Sequence, residues 1–202
     1  MAGAGAGTGA GGDLSTESMS LKQQLFTSIE TSSFFRFKLL LDQALKKPID
    51  IIDIFSLTDT WSEGPLKQDT LLIRAARNNR LDIVNYLLGL KADPEEKKVL
   101  ANQAKTNNRI TPLFIASLNG YEAIVKALIA VGAAVDKART DGATPLYLAS
   151  QNGHTDVVQI LLNAGGKAVV DQARIDGATP LLVAAQEGKL EVVKALLDAG
   201  AA

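Results

Sequence analysis

His154 is the one histidine in a chain of 202 residues that has no cysteine, and it stands close to Ser150 and Asp156. A serine, an imidazole and a carboxylate are the parts of a nucleophilic triad: the histidine takes the serine's proton and the acid orients the ring. The spacing argues against that use. Ser150 falls on the helix that precedes the histidine, and no oxyanion hole is evident beside it. A metal centre fails sooner, because one histidine and no thiolate leave only carboxylates to complete it. Gly7, Gly9 and Gly12 spell G-x-G-x-x-G, but a dinucleotide site needs a strand before those glycines and a helix after them, and the flanking sequence offers neither. No cofactor, metal or small-molecule substrate is therefore expected, and no enzymatic activity.

The neighbourhood of His154 has another explanation. Residues 141–165 read DGATPLYLASQNGHTDVVQILLNAG, and residues 176–200 read DGATPLLVAAQEGKLEVVKALLDAG, with Lys189 in the histidine's place. Thr111-Pro112-Leu113, Thr144-Pro145-Leu146 and Thr179-Pro180-Leu181 lie 33 and 35 residues apart. Each is followed by a small pair, a glycine, a Val-Val or Ile-Val and a double apolar pair, the pattern of a stacked helical repeat. A degenerate copy runs from Asp69 to Leu88, with Leu71 for the proline and Asn79 for the glycine. Leu25, Ser28, Phe37, Leu40 and Leu41 keep the same offsets in a fifth, more polar copy suited to an end cap.

One unit can be built from its residues. Asp141-Gly142 supplies a turn, Thr144 can cap the backbone N–H groups that open a helix, and Pro145 sits where its missing N–H costs nothing. Gly153 can take the left-handed conformation that ends this first helix. Thr155 and Asp156 start a second helix, whose Val157, Val158, Leu161 and Leu162 recur at helical spacing until Gly165. Two helices this short cannot bury their own faces, so the units must stack. Second helices are predicted near 34–42, 81–89, 121–130, 155–163 and 189–198.

These residues resemble the ankyrin repeat over about 180 of the 202 residues. The resemblance implies an all-α solenoid of helix-turn-helix units joined by β-turn or hairpin loops, with repeats at about 21–67, 68–105, 106–138, 139–173 and 174–202. It also implies that the histidine after the helix-ending glycine packs and caps within the inter-helix turn. One departure stands out: the family usually has a histidine after Thr-Pro-Leu, where this chain has Phe114, Tyr147 and Leu182. Apolar contact should replace part of the polar network at the helix starts.

The resemblance further implies a protein partner held on a concave strip made of turn tips and the outward positions of the first helices. In the third repeat the strip residues are Asn107, Asn108, Ile110, Leu118 and Asn119. In the fourth they are Thr140, Asp141, Ala143, Tyr147, Gln151 and Asn152; in the fifth, Ile175, Asp176, Ala178, Gln186 and Glu187. Arg74, Arg77 and Asn78 continue the row upstream. Ile110, Leu118, Tyr147 and Ile175 are the candidate anchors, being branched or aromatic where the stack has no evident need of them. Arg74 and Arg77 could form a pocket for an acidic segment or simply a solvated basic face.

The remaining sequence bounds the class of protein. Residues 1–18 are Gly/Ala-rich with little to bury, and are expected to be a disordered tail. A formal charge of −1 gives no attraction to phosphate backbones, so nucleic acid is not the expected partner. The chain shows no secretory signal and no apolar run long enough for a membrane, which points to the cytoplasm or nucleus. Two stretches exceed the period. Residues 42–68, with PIDIIDIF and Trp61, carry enough apolar content to seal the first repeat, and DPEEKKVLANQAK, residues 93–105, reads as an added helix capped by Asp93 that projects on the loop side. Two functions remain open: an adaptor or scaffold that binds a partner segment along the strip, or the targeting module of a larger enzyme. The second draws on the last helix, whose Val193, Leu196 and Leu197 call for a neighbour.

Overall fold

A computed structural model describes residues 20–31, 33–45, 69–105, 107–165 and 167–202. The expected tail and most of the 42–68 stretch lie outside the described residues. Among these residues five helix pairs follow one another: α1 (Leu21–Glu30) with α2 (Phe34–Leu45), α3 (Leu71–Arg77) with α4 (Leu81–Gly89), and α6 (Pro112–Leu118) with α7 (Glu122–Ala130). They continue with α8 (Pro145–Asn152) and α9 (Thr155–Gly165), then α11 (Pro180–Gln186) and α12 (Leu190–Asp198). Among the described residues two short helices break the alternation, α5 (Pro94–Ala101) and α10 (Lys167–Val170).

Local chemistry starts and stops these helices. Thr70, Thr111, Thr144 and Thr179 each accept the backbone N–H three residues on, at 3.2, 3.1, 3.0 and 3.2 Å, and proline follows in the last three. Gly153 ends α8 in the left-handed region at φ 78°. The next residue, His154, returns its N–H to the Ala149 carbonyl at 2.9 Å, the bond that closes a helix C-terminus after a left-handed residue. In the degenerate unit Asn79 takes that conformation at φ 54°, which asparagine tolerates better than most residues.

The pairs stack into two rows. The first helices contact one another in the order α1, α3, α6, α8, α11, and the second helices in the order α2, α4, α7, α9, α12. One continuous core runs between the rows, from Leu25 and Phe37 to Val192 and Leu196. Val157, Val158, Leu161 and Leu162 are all buried in it, as their spacing requires. The turns that precede the first helices are closed by backbone pairs such as Arg139 N–H to Ala143 O and Arg174 N–H to Ala178 O, both 2.9 Å. Adjacent turns are tied together by Thr140 N–H to Asn108 O at 3.2 Å and Ile175 N–H to Asp141 O at 3.1 Å.

The helix α5 forms with the caps its sequence calls for: the Asp93 carboxylate accepts from Glu95 N–H at 3.0 Å, and Pro94 opens it. It does not project. Leu100 and Ala101 at its C-terminal end are buried, α5 packs against α4, and Asn102, which follows them, bonds to Gly132 and Ala134.

Candidate protein-binding strip

His154 has a structural role. Its Nε2 lies 3.1 Å from the Leu118 carbonyl of the preceding unit. The ring covers Gly120, where an added Cβ would come within 2.6 Å of it. Lys189 lies over Gly153 in the same way, and Arg80 donates to the Ile29 carbonyl at 3.0 Å. In these three units the residue after the turn reaches the preceding unit, although its type differs each time. Ser150 is sealed in the core with its hydroxyl unpartnered, as is Ser117, so Ser150 and His154 do not form a pair.

The strip residues do not all face solvent. Asn78, Asn107, Asn119, Thr140, Asn152, Ile175, Asp176, Gln186 and Glu187 are exposed; Arg77, Asn108, Leu118, Asp141 and Gln151 are half-buried. Several polar ones serve the backbone. Asn78, Asn119 and Asn152 donate to the carbonyls of Arg74, Ile115 and Leu148, each four residues back, which satisfies the end of their own helix.

Three expectations need correction. Tyr147 is only 4% exposed, Ile110 9% and Arg74 2%. Tyr147 is covered by the following turn, whose Arg174 guanidinium lies 5.4 Å from the ring centre and donates to the phenol oxygen at 3.4 Å. Ile110 sits one residue before the capping threonine, a place where Ala143 is also buried, so its side chain is packed within the stack. Arg74 turns inward over the Phe26 ring, at 5.4 Å, and pairs with Glu30. It is neutralised within the fold and forms neither an open basic pocket nor a solvated face. Of the four expected anchors, Leu118 remains half-buried and Ile175 is 79% exposed.

The structure also places a row of cations that the sequence reading passed over. Lys105, Arg139 and Arg174 occupy the same place in successive turns, since each donates its N–H to the residue just before a capping threonine, Ile110, Ala143 or Ala178. Arg139 lies over Phe114 at 5.5 Å as Arg174 lies over Tyr147. Asp141 accepts from Arg139 at 2.8 and 2.5 Å and approaches Arg174 at 3.6 Å. The Arg139 hydrogen bonds foremost, helped by Ala143 N–H and the Arg174 charge, hold the Asp141 carboxyl well below the usual carboxylate range and raise Arg139 in return. A basic residue five or six positions ahead of each Thr-Pro was the available signal. Of the residues in the place of the family's histidine, Phe114 makes an apolar contact under a cation, Tyr147 does so and also accepts from Arg174 through its hydroxyl, and Leu182 is exposed.

Stacked helix pairs, a capping threonine before each first helix of the later units and hydrogen-bonded turn tips define a helix-turn-helix repeat solenoid. A family model described as ankyrin repeats, in three copies, matches residues 72–171 and 113–202. The chain belongs to the ankyrin repeat family. It is also similar to glycerophosphocholine phosphodiesterase gde1 of Schizosaccharomyces pombe, with 37% identity over 81 residues. That stretch is 40% of this chain and 6% of the length of the relative. Among the described residues no helix is long and apolar enough to cross a membrane.

Proposed function

We propose that the chain is a non-catalytic protein-interaction module, an adaptor or scaffold that holds a partner segment along the row of turn tips and first-helix ends. The observation that carries this reading is Ile175, a branched apolar side chain left 79% exposed at a turn tip whose backbone is fixed by its bond to Asp141. Leu118, half-buried in the same row, is the second anchor. A rigid row with isolated apolar side chains suits an extended segment, because little of the surface has to be ordered on binding. Nucleic acid and membrane are not its partners in this reading, and its place of action is the cytoplasm or nucleus. The test is affinity and melting temperature for a partner recovered by pull-down. Ile175→Ala and Leu118→Ala should each weaken binding by about 1–3 kcal/mol with little change in melting. If only Gln159→Ala, on the second-helix row, weakens it, the partner binds the opposite side.

The likeness to part of a phosphodiesterase favours a second reading, in which these repeats are the targeting or regulatory module of a larger enzyme. Hydrolysis of glycerophosphocholine by the full gene product, lost when residues outside 20–202 are removed, would support it; its absence from the full product would exclude that activity.

A further inference from the structure

The helix α5 is not required by the stack. Thr70 and Thr111 are 41 residues apart where Thr111 and Thr144 are 33 apart, and α5 takes up the surplus. Yet it is held firmly. Asn102, which caps its C-terminus, donates to the Gly132 carbonyl at 3.0 Å and accepts from Ala134 N–H at 2.8 Å. Between α5 and the 132–137 loop these bonds fix a groove of about 870 Å³, open along one side. Its apolar part is Val99, Leu100 and Ala134, and Val99 is 71% exposed, an apolar side chain that nothing in the repeat stack covers.

The charges at the two ends of this groove are opposite. Lys91 and Lys98 pair with Glu96 and Glu95 at 3.3 and 3.6 Å. Lys137 pairs with no carboxylate among the described residues: its ammonium donates to the Asn102 carbonyl at 3.3 Å, which places it at the C-terminal end of α5. Asp93, at the other end, pairs with no cation among the described residues, where its carboxylate accepts from the Glu95 N–H. An eight-residue helix sets these ends about 12 Å apart, the span of roughly four extended residues.

We propose that this groove is a second docking site, separate from the strip, for an extended protein segment with a base at one end, apolar side chains in the middle and an acid at the other. The base meets Asp93, the apolar residues cover Val99 and Ala134, and the acid meets Lys137. Gln103 lines the groove with its amide oxygen unbonded, and a turn of that amide offers an acceptor to the N–H groups of the incoming backbone. A lipid chain would suit the apolar middle but would leave Asp93 without a counterpart.

The test uses the full chain and capped tetrapeptides Lys-Leu-Val-Glu and Glu-Leu-Val-Lys, with Gln-Leu-Val-Gln as the uncharged control, followed by amide chemical-shift changes. One of the two charged peptides should shift residues 99–103 and 132–137 at millimolar concentration and bind more tightly than the control. Lys137→Glu and Val99→Ser, both exposed and each checked for an unchanged melting temperature, should weaken it about tenfold or more. Leu118→Ala and Ile175→Ala should leave it unaffected, so the strip and the groove stand or fall separately. Equal binding by the uncharged peptide, shifts centred on Leu118 and Ile175, or no shift at all would overturn the proposal.

Discussion

Lys105 and Arg174 occupy the same place in the turns of two different units, and the fold treats them in opposite ways. Lys105 is buried and reaches a buried carboxylate, Asp69, at 3.1 Å; Asp69 also accepts from Arg77 at 2.9 and 3.2 Å and lies 3.6 Å from Arg74. Arg174 is partly exposed, lies over Tyr147 and shares Asp141 and Asp176 at 3.6 and 3.5 Å. Both donate their N–H to the residue before a capping threonine, so the difference comes from across the junction. Asp69 stands one residue before the capping Thr70, where Ile110, Ala143 and Ala178 stand in the later units. An ionised carboxylate in an apolar slot is tenable only when cations follow it inside. The early junction thus depends on charge pairing, and the late one on an aromatic ring beneath a cation.

If that contrast is right, removing the two carboxylates should have very unequal effects. Asp69→Ala leaves Lys105 and Arg74 buried without that partner and should cost about 3–5 kcal/mol in denaturant unfolding. A loss below about 1 kcal/mol would mean that the buried cluster is dispensable. On the late side the ring is the part that matters. Tyr147→Ala should cost about 2–4 kcal/mol through cavity formation, with any loss of partner binding following the loss of fold. Weakened binding at unchanged melting would restore Tyr147 as a surface anchor.

Asp141 is the mild counterpart. It is half-exposed, so Asp141→Asn should cost about 1 kcal/mol or less at neutral pH. Its carboxyl has a lower pKa folded than unfolded. The stability it contributes is therefore complete above the unfolded value of about 3.9 and fades as pH falls below it towards the depressed folded value. The gap between the wild type and Asp141→Asn in urea unfolding should narrow below about pH 4; a gap that widens there would reverse the assignment. The smallest effect belongs to His154. Its ring is exchanged for Lys189 in the next unit, so His154→Lys should cost at most about 1 kcal/mol and leave partner binding intact.

The helix pairs were legible because their signals are local. Thr-Pro starts, left-handed glycines and the spacing of Val157, Val158, Leu161 and Leu162 depend on neighbours within a few residues, and α7, predicted at 121–130, forms at Glu122–Ala130. Asn79 could be recognised as a stand-in for glycine by its offset alone, and it does take a positive φ. The strip was less legible. Leu118 and Tyr147 both fall on outward-looking positions of a first helix, yet Tyr147 is buried under the next turn while Leu118 is only half-buried.

The sequence by itself determined the repeat, its family, the caps and the rows of helices, since period and capping chemistry act over a few residues and survive degenerate copies. Only the tertiary structure decided which side chains those rows leave to solvent. Burial of Tyr147 depends on Arg174, 27 positions later, and that of Arg74 depends on Phe26 and Glu30, 44 positions earlier in the case of the ion pair. A residue's own neighbours carry no record of what the adjacent unit lays over it, because contact between stacked units is set by the rise and twist of the whole stack.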